Sequence, residues 1–143
     1  MTKINLIDRS NYFKGLLLLI RKDNKVAPSE ERLITKVGLA LGFEKSFIRT
    51  AISEILENEN ILDDPPSFSD PMITKSFLKD GLKISASDND IDPNELYWLK
   101  EIAKINSVPE HWLDNQLKHL VENKDLILED LEVQNRFVLS GEF

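Results

Sequence analysis

Apolar residues recur along this chain at helical intervals. Tyr12, Phe13, Leu16, Leu17, Leu19 and Ile20 leave few polar positions, which predicts a helix enclosed by others. Leu33, Ile34, Val37, Ala40 and Leu41 trace one helical face, and Phe47, Ile48, Ala51, Ile52, Ile55 and Leu56 trace another. Further along, Ile73, Phe77 and Ile84, flanked by Leu78 and Leu82, mark a fourth inward face. Trp98, Leu99, Ile102 and Ile105 mark a fifth, and Trp112, Leu113, Leu117, Leu120 and Val121 a sixth.

Between the third and fourth faces the period stops. Pro65 and Pro66 cannot continue a helix, and Ser67, Ser69 and Asp70 bring turn and cap chemistry. Asp70 before Pro71 then reads as an N-cap followed by the residue favoured in a first turn. Leu131 to Leu139 fits a short helix or an extended tail, and no strand is predicted elsewhere.

The pattern repeats. Displaced by 65 residues, Asp23-Asn24-Lys25-Val26-Ala27-Pro28-Ser29-Glu30 lies over Asp88-Asn89-Asp90-Ile91-Asp92-Pro93-Asn94-Glu95. The match continues as Leu33 with Trp98, Ile34 with Leu99, Val37 with Ile102, Phe43 with Val108 and Phe47 with Trp112. Capping alone selects Pro and Glu at helix starts, but not the Asp-Asn pair or the hydrophobic register through two further helices. The expected fold is all-α: one compact domain of about six to eight helices in two pseudo-symmetric three-helix halves. The first half spans about residues 9–60, the connector 61–70 and the second half 71–125, with a tail or short helix over 126–143.

Composition narrows the functions. Charged residues make up 30% of the chain and hydrophobic ones 41%, a globular balance. The absence of cysteine removes disulfides, thiolate zinc sites and a cysteine nucleophile, and fits a reducing compartment. A net charge of −7, with no basic cluster interleaved with aromatics, argues against nucleic acid and favours a cation or a basic partner. The longest apolar run, Leu16 to Ile20, ends at Arg21 and Lys22 and is too short to span a bilayer. Residues Met1 to Asp8 do not read as a signal peptide, so a cytoplasmic location is expected.

The acidic loops are the candidate site. Hard cations such as calcium take several oxygen ligands, and Asp88, Asp90 and Asp92 have the alternating spacing that supplies them. An EF-hand would need glycine where Pro93 stands and a bidentate glutamate where Leu99 stands, so this is not one. A divalent cation here would use Glu95 from the first turn of the helix. The plainer alternative makes Asp92 an N-cap, Glu95 its capping-box partner, and Asp88 and Asp90 solvated turn formers. In the first loop Lys25 and Ala27 replace two of the acids, leaving Asp23 and Glu30 to add ligands if the loops face each other.

A twofold helical repeat in which Asp-x-x-hydrophobic-x-x-x-Glu opens the second helix of each half resembles the tellurite-resistance TerB-like family. Asp23, Val26 and Glu30 carry the likeness in the first half, and Asp88, Ile91 and Glu95 in the second. The run Phe13 to Ile20 is similar to the family's first core helix, and the resemblance covers roughly residues 10–125. It implies an all-α, cytoplasmic, usually bacterial protein associated with tellurite or other chemical stress, or fused to co-chaperone J-domains. It also implies a divalent-cation site, calcium in particular, on the acidic residues. The family's glycine after the loop aspartate is Asn24 or Asn89 here, and asparagine tolerates the same positive φ.

Catalysis is not expected. His111 and His119 lie eight residues apart, roughly 80° around a helix, and form no H-E-x-x-H. No nucleophile elbow or glycine-rich phosphate loop is present. Adjacent acids such as Glu30-Glu31 and Asp63-Asp64 read as solvated faces, and Trp98 and Trp112 as core. Two functions stand: a non-enzymatic, stress-associated module holding a divalent cation, or a scaffold for an unidentified protein partner in which the acids are caps and surface charge.

Overall fold

The computed structural model describes residues 2–22, 26–58, 60–87, 91–123 and 130–139. Strand β1 (Thr2–Ile4) leads into α1 (Leu6–Arg21), α2 (Pro28–Ala40) and α3 (Lys45–Glu57). After the connector come α4 (Pro71–Ala86), α5 (Pro93–Ile105) and α6 (Glu110–Glu122), and then a short α7 (Glu132–Arg136) and β2 (Phe137–Leu139). Among the described residues the fold is thus all-helical apart from one two-stranded sheet.

The duplication is carried by the backbone. The helices run 16, 13 and 13 residues in the first half and 16, 13 and 13 in the second. Each begins and ends 65 residues after its counterpart. The turns that end α2 and α5 match as well. Phe43 N–H reaches Gly38 O at 3.0 Å and Gly42 N–H reaches Leu39 O at 3.0 Å, the paired bonds of a Schellman motif. In the second half Val108 bonds Ala103 O at 2.8 Å and Ser107 bonds Lys104 O at 3.2 Å.

The halves interlock. Helix α1 packs on α4 and α5, and α2 packs on α4, so the long helix of each half packs against the first two helices of the other. Close approach is needed there: a Cβ on Gly15 would sit 2.8 Å from the ring of Phe77. Tyr12, Leu16, Leu19, Ile34, Phe77, Leu78, Leu99 and Ile102 form the shared core. Asn106 ties the connector down, accepting from Phe68 N–H at 2.8 Å and donating to Pro66 O at 2.9 Å.

The outer helices are less buried than their periodicity predicts. Phe47 and Leu56 on α3 are about half exposed, as is Ile105 at the end of α5, and Val121 on α6 more so; α3 packs on α1 and α2 and α6 on α4 and α5, and each buries a narrow stripe. On α3 that stripe is Ile48, Ile52 and Ile55; on α6 only Leu113 is fully buried, with Trp112 partly so. The chain ends also depart from expectation. The Leu131–Leu139 segment is both a helix and a strand, and its strand lies parallel to β1, pairing Thr2 with Phe137 and Ile4 with Leu139. Among the described residues no helix is long and apolar enough to cross a membrane.

Candidate functional site

The two helix starts that follow the acidic loops are built alike. Pro28 and Pro93 open α2 and α5, fixing φ where no backbone donor is needed. Three residues into each cap, a glutamate turns back: Glu30 Oε1 accepts from Ala27 N–H at 3.0 Å, and Glu95 Oε1 accepts from Asp92 N–H at 3.3 Å. Asp92 caps α5 itself, accepting from Asn94 N–H at 2.7 Å. The methyl group of Ala27 has no acceptor to do the same for α2.

Both glutamates are buried, Glu30 at 0% and Glu95 at 1% exposure, which a capping box on an open surface does not require. Glu30 is therefore no part of a solvated face, although its neighbour Glu31 is exposed. In each, the backbone N–H at the helix start satisfies one oxygen of the buried carboxyl. Glu95 gains a further donor, the buried Ser85 hydroxyl, 3.3 Å from Oε2.

The residues that bracket the loops are neighbours across the two halves. Ser87, the last described residue before the second loop, donates its hydroxyl to Ser29 at 3.1 Å, and Ser29 follows the first loop in α2. The symmetric counterparts, Lys22 and Asn94, line one cavity of about 390 Å³ with Asp63, Tyr97, Trp98 and Glu101. Trp98 donates its indole N–H to Gly15 O at 3.2 Å, and the Lys22 ammonium lies 4.5 Å above its ring. Asp63 receives both Lys22 and Arg21, whose positive charges hold its carboxyl below the usual carboxylate range against a burial effect that raises it.

Of the six candidate ligands, Glu30, Asp92 and Glu95 are placed at these helix starts. Asp23, Asp88 and Asp90 lie outside the described residues. Among the described residues, no three His, Asp or Glu side chains gather as a metal-holding group. The candidate donor set is oxygen only, the ligand chemistry of a hard cation. His111 and His119 are both exposed, and His119 Nδ1 lies 3.1 Å from the Asn123 amide.

Sequence periodicity also missed two further buried acids, Asp80 and Asp8. Asp80 is fully enclosed, accepting from the Tyr12 hydroxyl at 2.6 Å and from the Glu132 and Val133 N–H groups at 2.6 and 3.1 Å. Its only sequence signal is a lone acid on the apolar side of α4, two residues after Leu78 and two before Leu82. Asp8 is similar: it is buried and receives both the backbone N–H and the hydroxyl of Ser69.

No protein-family model matches the chain, and neither do any curated protein or solved structure. The resemblance to the TerB-like family therefore rests on the residues of the repeat and the helix order.

Proposed function

We propose that this chain is a non-enzymatic, TerB-like, stress-associated module whose two acidic loops act together on one divalent cation, calcium being the first candidate. The observation that carries the proposal is the pairing of the loop ends: Ser87 bonds Ser29, and Lys22 and Asn94 share a cavity, so each loop leaves beside the point where the other returns. The proposed ligands are Asp23, Asp88 and Asp90 from the loops, with Glu30, Asp92 and Glu95 from the helix starts. Such an ion would tie the two halves and stabilise the folded state without chemistry. A cytoplasmic setting belongs to the same proposal.

A second function is favoured by a different observation. Glu30, Asp92 and Glu95 each accept a backbone N–H at a helix start, which by itself accounts for their chemistry. Under it the module is a protein-interaction scaffold, and its net charge of −7 engages a basic partner.

Alanine at Asp88 and Asp90 separates the two. In thermal unfolding with EDTA or with millimolar calcium, magnesium, manganese or zinc, the wild-type chain should gain several degrees with one cation. A ligand at a hundred times its dissociation constant contributes about 2.7 kcal/mol. The double variant should gain nothing. Equal behaviour of both proteins under every cation would favour the scaffold.

A further inference from the structure

We propose that residues 130–139 form a proton-responsive clasp whose hold on the helical body is set by Asp80. The segment is docked rather than merely trailing. Leu131, Val133 and Phe137 are buried, α7 packs on α4 and α2, and β2 pairs with β1. The ring of Phe137 meets Tyr12 edge-on at 5.9 Å. At the centre of this contact lies one carboxylate. Asp80 takes the first two N–H groups of α7 and the hydroxyl of Tyr12, so it joins the clasp to α4 and α1 at a single point. A helix of five residues has little stability of its own, so this cap and the three apolar anchors are what order it.

Among the described residues no cation forms an ion pair with the carboxylate. The titratable and charged groups described as facing it are Tyr12 from α1, Glu132 from α7 and Lys83 on its own helix. Lys83 donates to Asp130 O at 2.5 Å instead, and Lys79 pairs with Glu132 at 3.7 Å. Burial pushes the Asp80 carboxyl up to about 6, outweighing the Tyr12 hydroxyl, the two backbone bonds and Lys83, all of which lower it. The same burial, with Asp80 and Glu132 nearby, raises the Tyr12 phenol well above its ordinary value, so the phenol stays protonated.

The sign follows by linkage. An undocked Asp80 returns to the ordinary carboxylate range, so docking takes up a proton between the two values. Its contribution to the clasp is fully present below the ordinary carboxylate range and is lost as pH rises through about 6. Neutral Asp80 keeps both amide bonds to the clasp, its two oxygens still accepting from Glu132 and Val133, while its bond to Tyr12 reverses, the carboxyl donating and the phenol oxygen accepting.

Hydrogen exchange at the Glu132 and Val133 amides of the full chain tests this, corrected for intrinsic exchange. From pH 7.5 to 5.0 their protection should rise about tenfold. It should be flat in Asp80→Asn and retained in His119→Gln, a control because His119 lines the cleft beside Lys83 and Glu132. Protection that is unchanged or falls at pH 5.0, or a rise that persists in Asp80→Asn, overturns the proposal. Should Asp80→Asn fail to fold, Tyr12→Phe removes a bond that favours the ionised carboxyl. The midpoint must then move to higher pH, and an unmoved midpoint overturns the proposal equally.

Discussion

Tyr12 and Phe77 hold equivalent positions in the two halves and pack edge to face, their ring centroids 5.3 Å apart. Two equivalent residues touch each other only beside the axis that relates them, so the pseudo-twofold passes between these rings. Each ring also reaches one turn onward in the opposite half. Phe77 closes on Gly15, and Tyr12 hydrogen-bonds Asp80, the residue equivalent to Gly15. The duplicated scaffold is thus shared, while the side chains at its axis have diverged into an apolar contact on one side and a buried carboxylate on the other.

The same divergence leaves a strained position. Gly42 and Ser107 are equivalent, and both are left-handed, with φ of 89° and 59°. Glycine adopts that conformation freely, whereas a serine there carries roughly 1–2 kcal/mol of local cost. Ser107→Gly should therefore stabilise the domain by about 1 kcal/mol, and Gly42→Ser should destabilise it by a similar amount. Urea midpoints read by circular dichroism, at unchanged slope, check both signs.

Glu30 and Glu31 are adjacent in sequence and opposite in environment. Glu30→Ala removes a buried acceptor and leaves the Ala27 amide without its cap bond, and should cost about 1–3 kcal/mol. Glu31→Ala, on the exposed face, should stay within about 0.5 kcal/mol of wild type. In the second half Glu95→Ala should likewise cost about 1–3 kcal/mol, because it removes the Asp92 cap bond and strands the buried Ser85 hydroxyl. The same chemical-denaturation series orders these variants; equal stability for Glu30→Ala and Glu31→Ala would contradict the burial argument.

Local chemistry made much of this legible. Proline at the first helical residue, with an acid before it, marked the starts of α4 and α5, and Glu95 completed the capping box of α5. The 65-residue repeat carried over to helix lengths because each half solves the same packing problem. Trp98 is core, as its register predicts. What escaped depends on tertiary contact. Strands of three residues are too short for alternation to show, and Thr2–Ile4 pairs with Phe137–Leu139 only because α7 brings the chain ends together. Phe47 follows the helical period yet is half exposed, since period gives the face of a helix but not how wide a neighbour covers it. The burial of Asp80 follows from where α7 docks, which no local pattern encodes. Of the candidate ligands, the roles of Asp92 and Glu95 as caps were readable, whereas the burial of Glu30 and Glu95 was not.

The most direct test of a shared cation site is a calorimetric titration of calcium into the EDTA-stripped, dialysed full chain, beside Asp23→Ala and Asp88→Ala. The proposal predicts saturable binding of one ion per chain, weakened at least tenfold by either substitution, because one site draws on both loops. Binding lost in Asp88→Ala but intact in Asp23→Ala would confine the site to the second loop. No saturable heat with calcium, magnesium, manganese or zinc would contradict the cation site altogether and leave the acids as caps and surface charge.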